Sequence, residues 1–251
     1  MSNSNHELTD RSDMSVHTEL LPERIDEFAG RLGRHIEHDE RSLAYAVEHL
    51  IADILPPKTV SWQRFSPILD QGDLGSCTGN AMAGWLGCSP DVTTAADAAR
   101  FDEAFAVSLY SHATVLDNVP GTYPPDDTGS TGLAACKAAK NLGLISAYHH
   151  ALTVNGLLHA LQFGPVIVGV PWLTGFDRPD EHGVVQPTGE VRGGHEFLIR
   201  AYQHGTTEDN SYLIADNSWG SSWGVNGQFR FSVTTWRALV EQHADVTIPR
   251  R

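Results

Sequence analysis

The apolar residues of this 251-residue chain change their period part way along, and that change limits what the chain can fold into. After Cys77, the residues Ala81, Met82, Trp85 and Leu86 recur at helical spacing. Ala98, Phe101, Phe105, Leu109 and Ala113 do the same across about 97–112, and a third helix is predicted over about 132–141, ending before Gly143. Beyond residue 150 the texture is that of strands. PVIVGV at 165–170, FLIRAY at 197–202, YLIADNS at 212–218 and GQFRFS at 227–232 are short β-branched or aromatic runs between turn residues. A mainly helical first half followed by a mainly sheet second half predicts an α+β fold, with a cleft between the halves as the natural place for a site.

The amino-terminal part reads differently. The first 20 or so residues are polar and aperiodic, as expected of a tail that is mobile in isolation. In 24–55, Phe28, Leu32 and Ile36, then Leu43, Val47, Leu50, Ile51, Ile54 and Leu55, recur at helical spacings and predict one or two amphipathic helices ending before Pro56-Pro57. A short β-prone piece follows around Val60–Phe65, then Pro67 and a glycine-interrupted loop carrying Gln71, Gly72 and Gly75. The boundaries drawn are therefore 1–57 for an appended segment and 58–251 for the main domain, with lobes of roughly 58–150 and 151–251 that can exchange strands at their ends.

Charge narrows the partners. With 17 basic against 31 acidic residues the formal charge is −14, which repels a phosphate backbone, so nucleic acid is not an expected partner. No run approaches the roughly 18 apolar residues that span a bilayer, so membrane insertion is not expected either. The start of the chain lacks the basic-then-apolar order of a secretory leader. Three widely spaced cysteines, Cys77, Cys88 and Cys136, make neither a disulfide framework nor a paired zinc motif, and suit the cytoplasm or another reducing compartment.

One of those thiols has the surroundings of a nucleophile. Cys77 stands at the junction of the glycine-bearing loop with the first predicted helix, where the positive end of the helix dipole favours thiolate. A nearby histidine would supply the second activating charge. Composition does not choose among 13 histidines, but His195 follows Gly193-Gly194 and opens an apolar run, the start of a core strand. Asn217, at the end of another predicted strand, has an amide oxygen able to accept a histidine ring proton and leave the other ring nitrogen for sulfur. Read alone, His195 serves equally as a structural histidine and Asn217 as a turn former.

Taken together these segments resemble the papain-like cysteine peptidases. QGDLGSCTGNA resembles the nucleophile segment, with Gln71 matching the oxyanion-hole glutamine and Cys77 the nucleophile. GGHEFLIRAY resembles the histidine segment, with His195 as general base. DNSWGSSWGVNGQFRF resembles the asparagine and tryptophan segment, with Asn217 orienting the histidine and Trp219 covering their contact. The resemblance spans roughly 58–245 and implies a two-lobed fold, a mainly helical first lobe and a sheet or barrel-like second lobe, with the active site in the cleft. It also implies that Gly129 and Ser130, in the loop after Asp127, and Gly194 offer hydrogen bonds to an extended peptide, and that Glu196 lines the pocket for the second substrate residue upstream of the cut. A carboxylate there would favour a basic side chain; the alternative is a Glu196 that faces solvent or satisfies a local bond.

The pattern is also broken in places. Thr78 stands where relatives commonly carry tryptophan, and Leu74 where many carry a disulfide cysteine, so that disulfide is absent. Residues 24–55 lack the familiar propeptide signature and are expected to be a permanent brace, a propeptide-like cover of the catalytic domain or a partner-binding arm. The implied activity is hydrolysis of peptide bonds in a peptide or protein substrate through an acyl-enzyme. Amidase or transpeptidase chemistry on cell-wall peptides, or an inactive peptide-binding scaffold, would use the same cleft. No metal or nucleotide cofactor is implied: His149-His150 lacks a metal-ligand motif and reads as a loop or surface pair, and no phosphate-binding glycine loop occurs.

Overall fold

The computed structural model describes residues 16–24, 30–39, 45–50 and 56–251. Two short strands, β1 (Val16–Glu19) and β2 (Ile36–Asp39), and the two-residue β3 (Val60–Ser61) precede the helical lobe of α1 (Cys77–Leu86), α2 (Ala95–Ala98), α3 (Glu103–Thr114) and α4 (Gly132–Asn141). There follow β4 (Ala147–Ala151), α5 (Val154–Ala160), β5 (Val166–Leu173), β6 (Val191–Gln203), β7 (Tyr212–Asp216), β8 (Gln228–Ser232), α6 (Val233–Val240) and β9 (Asp245–Arg250).

Local chemistry sets most of the helix ends. The helix expected over 97–112 is two helices, because two N-caps compete for it: Thr94 accepts the Asp97 N–H to start α2, and Asp102 accepts the Phe105 N–H to start α3. Phe101, fully buried, fills the break. Thr131 caps α4, whose bounds match the predicted 132–141. The short helices α5 and α6, capped by Thr153 and Ser232, were not foreseen.

The strands form an antiparallel sheet in the order β4-β9-β5-β6-β7-β8, with β3 added to β6. Among the described residues this path is open, so of the expected sheet or barrel-like lobe it is the sheet that is found. Helices cover both of its faces, which removes the need for closure. Val166, Val168 and Val170 join a core with Leu157 of α5 and Trp236 of α6, whereas Ile167 and Leu198 join Met82, Leu109 and Cys136 of the helical lobe. Burial on both faces is why this strand reads as one apolar run rather than an alternation. The His149-His150 pair, expected in a loop or at the surface, lies in β4 opposite Ile248 and Thr247, and His150 is buried.

The helices expected in 24–55 are not found among the described residues. Leu32 and Ile36 are buried, but in an extended segment, and Val47–Leu50 is a 3-10 turn; Phe28, Leu43, Ile51, Ile54 and Leu55 lie outside the described residues. Extension wins because the backbone finds its partners on the main domain. Gly33 and Arg34 donate their N–H groups to the Gly194 carbonyl at 3.1 and 3.0 Å, His35 donates to the Ser130 carbonyl at 2.8 Å, and Ser130 donates to the Gly33 carbonyl at 2.8 Å. A helix would forfeit all four bonds.

Candidate active site

The loop before α1 is held from both sides. Gln71 donates its backbone N–H to the Ser218 carbonyl at 2.9 Å, and Gly75 donates to the Asp127 carboxylate at 3.0 Å, which also accepts the Tyr110 hydroxyl at 2.7 Å. These ties deliver Cys77 as the first residue of α1. Ser76, the N-cap, makes no side-chain cap bond and donates its hydroxyl to Asn80 instead. The first N–H groups of α1 therefore keep their positive potential for whatever lies at Cys77.

His195 sits within β6, which packs against α1. One ring nitrogen, Nε2, is 2.7 Å from the Asn217 Oδ1, just beyond the end of β7, and Nδ1 is buried without a hydrogen bond. Since the amide oxygen accepts, Nε2 carries the proton and Nδ1 keeps its lone pair. Aromatic rings fix the imidazole: Trp172 meets it edge-on at 4.8 Å and Trp219 lies tilted by 34° at 5.1 Å. Gln71 accepts the Ser218 hydroxyl on Oε1 and donates from Nε2 to the Leu74 carbonyl, each at 2.7 Å, which leaves one amide hydrogen uncommitted.

Cys77 and His195 are both fully buried. Burial pushes the Cys77 thiol far above its usual range and the Glu196 carboxylate adds to this, while the Glu196 backbone N–H at the sulfur works the other way. Burial also pulls His195 down to about 3, against the stabilising bond to Asn217 and together with repulsion from Arg192. The covered pair is thus a neutral thiol and a neutral imidazole. Cys88, pushed up to about 12 by burial, and Cys136, raised by burial and by the Glu196 and Asp245 charges, are buried free thiols as well.

The cover is residues 30–37. Gly30 lies flat on the Trp219 ring, where an added Cβ would come within 2.4 Å, and Trp219 Nε1 donates to the Arg31 carbonyl at 2.9 Å. Gly33 crosses Gly75 so closely that a Cβ would meet the Gly75 carbonyl at 2.1 Å. Gly194 and Ser130 supply the backbone bonds described above, whereas the Gly129 N–H is taken by the Tyr110 hydroxyl at 2.9 Å. Glu196 does not face solvent; it is fully buried with both carboxylate oxygens lacking hydrogen bonds. Arg34, Asp245, Arg192 and His35, none of them marked out by sequence pattern, complete the surroundings. Arg192 binds Asp177, Glu23 and the Gly30 carbonyl at 3.1, 3.2 and 2.7 Å.

Among the described residues no group of three or more His, Cys, Asp or Glu side chains is placed to hold a metal ion, and no helix is long and apolar enough to cross a membrane.

Comparison with known proteins bears on the family and the fold. The model of the papain family cysteine proteases matches residues 86–247, a stretch that includes His195 and Asn217 and begins after Cys77. Cathepsin B-like CP3 of Giardia intestinalis is 29% identical over 202 residues, covering 70% of this chain and 67% of the relative. Cathepsin B-like CP2 of the same organism is 33% identical over 165 residues, covering 64% of this chain and 48% of the relative, so the match takes in only about half of that protein. Xylellain, a cysteine protease from Xylella fastidiosa, superposes with a TM-score of 0.56 at 15% identity, over 92% of this chain and 94% of its own. The bromelain protease of Ananas comosus gives 0.50 at 15% identity, over 78% and 99%. By its family match, its relatives and its fold, the chain belongs to the papain family of cysteine proteases.

Proposed function

We propose that the chain hydrolyses peptide bonds with Cys77 as nucleophile, His195 as proton carrier and Asn217 as the group that orients the imidazole. The observations that carry this reading are the 2.7 Å contact of His195 Nε2 with Asn217 Oδ1, which leaves Nδ1 buried and unbonded, and Cys77 at the first residue of α1, a helix that packs against the strand bearing His195. Nδ1 takes the thiol proton, and the thiolate attacks the substrate carbonyl carbon. The oxyanion is received by the Cys77 backbone N–H, which has no intrahelical acceptor, and the free amide hydrogen of Gln71. Nδ1 then returns its proton to the departing amine, and water, deprotonated at the same nitrogen, hydrolyses the thioester to acid and thiol.

Residues 30–37 are in this reading an inhibitory cover rather than a brace. The histidine that protonates the leaving amine lies against Trp219, so the Trp219 side of the cleft is the leaving-group side, and the side where Arg34 lies takes the acyl half. A substrate would enter with its amino-terminal half on the Arg34 side. The chain's own segment runs the other way, with Arg31 over Trp219 and Arg34 beyond Gly33, and pairs in parallel with Ser130. Its Gly33 carbonyl accepts from Ser130 and takes no donor from the oxyanion site, so it stays uncut. Three buried free thiols support the further reading that the protein works where thiols stay reduced.

The test is hydrolysis of a mixed-sequence fluorogenic peptide library by the reduced chain carrying Gly33→Ala, whose added Cβ would meet the Gly75 carbonyl and displace the segment from the cleft. Turnover abolished by Cys77→Ala and by His195→Ala supports the reading; turnover that survives either change contradicts it.

A further inference from the structure

We infer that Asp127 is a positioning residue for the reaction: its carboxylate ties the loop that leads to Cys77 to the loop that pairs with an extended substrate, the second tie running through the Tyr110 hydroxyl. The inference rests on the peptidase reading above and adds to it the group that holds these two parts of the cleft in register.

Both oxygens of Asp127 are spent on other segments. Oδ1 accepts the Tyr110 hydroxyl at 2.7 Å and lies 3.1 Å from the Gly75 nitrogen, while Oδ2 accepts the same Gly75 N–H at 3.0 Å. Tyr110 in turn accepts the Gly129 N–H at 2.9 Å. One line of hydrogen bonds therefore runs from Gly75, two residues before Cys77, to Gly129, the neighbour of Ser130. In the peptidase reading those are the places where the cleft meets a substrate: the Cys77 N–H at the oxyanion, and Ser130, whose N–H and carbonyl pair at 2.8 Å with Gly33 and His35 of the segment now in the cleft. No disulfide fixes either loop, since Cys77, Cys88 and Cys136 are all free.

The line is stiff and its polarity is fixed. Tyr110 is wholly buried on α3, and α1 lies so close there that a Cβ on Gly79 would meet the Ala106 carbonyl at 2.3 Å and the Tyr110 nitrogen at 2.9 Å. Burial, and then the bond to Asp127, hold the Tyr110 phenol far above its usual range, so its hydroxyl stays a donor to the carboxylate and an acceptor from Gly129. An ionised acceptor makes the bonds from Gly75 and Tyr110 about twice as strong as neutral ones. Arg31 of the cover adds a contact to Oδ2 at 3.0 Å, which leaves with the cover and takes none of the others with it. A shift of Gly75 passes through Ser76 to the Cys77 N–H, and a misplacement of about 1 Å at such a donor costs up to about 100-fold in rate.

The experiment measures kcat and KM on one fluorogenic peptide in the chain carrying Gly30→Ala, whose added Cβ would meet the Trp219 ring at 2.4 Å and so displaces the cover without relying on Gly75. Asp127→Ala should lower kcat by about tenfold or more, counted per Cys77 titrated with an irreversible thiol reagent. The side chain is 26% exposed, so its removal opens no hole in the core. Asp127→Asn keeps an oxygen at Oδ1, within reach of both donors, and should bring kcat back to within about threefold. Tyr110→Phe cuts only the branch to Gly129, and should raise KM about fivefold with kcat changed by less than about twofold. An unchanged kcat in Asp127→Ala, an asparagine variant as slow as the alanine, or a Tyr110→Phe that leaves KM unmoved would overturn the inference. If the Gly30→Ala chain cleaves no peptide, the peptidase reading fails by itself, and amide hydrogen exchange still decides whether Asp127 couples the two loops. Faster exchange at both Gly75 and Gly129 in Asp127→Ala, and at Gly129 but not Gly75 in Tyr110→Phe, sustains the coupling; exchange unaltered at either glycine in Asp127→Ala overturns it.

Discussion

Replacing Gly33 by alanine should open the cleft without touching any group assigned to the chemistry. The new Cβ would lie 2.1 Å from the Gly75 carbonyl oxygen, and Gly33 has φ +155, where an L side chain adds strain of its own. Gly75 cannot withdraw, because its N–H is held by Asp127 and it leads directly to Cys77. The segment must move by about 1 Å, beyond hydrogen-bond range. That breaks the bonds of Gly33 and Arg34 to Gly194 and of Ser130 to Gly33. At about 1 kcal/mol net for each, the loss is about 3 kcal/mol, or about 100-fold in the ratio of open to covered forms. The assay is the second-order rate of Cys77 alkylation by iodoacetamide at pH 7, followed by peptide mapping. The rate should rise about 100-fold in Gly33→Ala, while Cys88 and Cys136 label as slowly as before. An unchanged Cys77 rate in a variant with native circular dichroism would refute the claim that the segment is what covers the thiol.

Gln71→Ala, assayed in the open Gly33→Ala chain, should lower kcat by about 100-fold or more with little change in KM, since the donor acts on an oxyanion that exists only after attack. Asn217→Ala removes one bond from the imidazole, and should cost about 5- to 30-fold in kcat/KM, measured on the same substrate. His35 makes the cover sensitive to acid. Its Nδ1 accepts the Leu21 N–H at 3.0 Å and its Nε2 donates to the Thr128 carbonyl at 2.7 Å, so the docked ring is neutral, and burial lowers its proton affinity below the ordinary 6.5. The released ring binds a proton that the docked ring does not, so docking weakens as pH falls below 6.5, by up to tenfold per unit. Asp117, raised to about 6 chiefly by burial and sited near Glu37 and Ser130, pulls the other way. The comparison of alkylation rates in wild type and His35→Gln between pH 7 and 5 isolates the histidine, whose acid-induced rise should vanish in the variant.

The groups proposed for catalysis stand out in the sequence because each sits beside a local signal: Cys77 where a glycine-bearing loop becomes a helix, His195 directly after two glycines, which lie inside β6 rather than at its start, and Asn217 where a strand ends. The sheet strands were legible because β5, buried on both faces, reads as a continuous apolar run, and β6 carries the apolar-rich FLIRAY in its second half, although it starts six residues earlier, at Val191. What failed was the region whose partners are distant. Leu32 and Ile36 are spaced like a helix, but the backbone between them, from Gly33 to His35, is satisfied by Gly194 and Ser130, far along the chain. The split between α2 and α3 turned on two caps inside one apolar pattern. Glu196 drew attention by its place beside the histidine. Arg34 and Asp245 did not, because Arg34 in its polar stretch looks solvated until the fold buries it against Asp245, which itself stays partly exposed.

Reaction of the chain with an irreversible, thiol-directed peptide, with the adduct mapped by mass spectrometry, tests the Cys77–His195 pair most directly. The Gly33→Ala background gives the reagent access to the cleft. A single adduct on Cys77, formed far more slowly when His195 is alanine and absent from Cys88 and Cys136, is the predicted result. Comparable labelling of all three cysteines, or a Cys77 rate indifferent to His195, would contradict it.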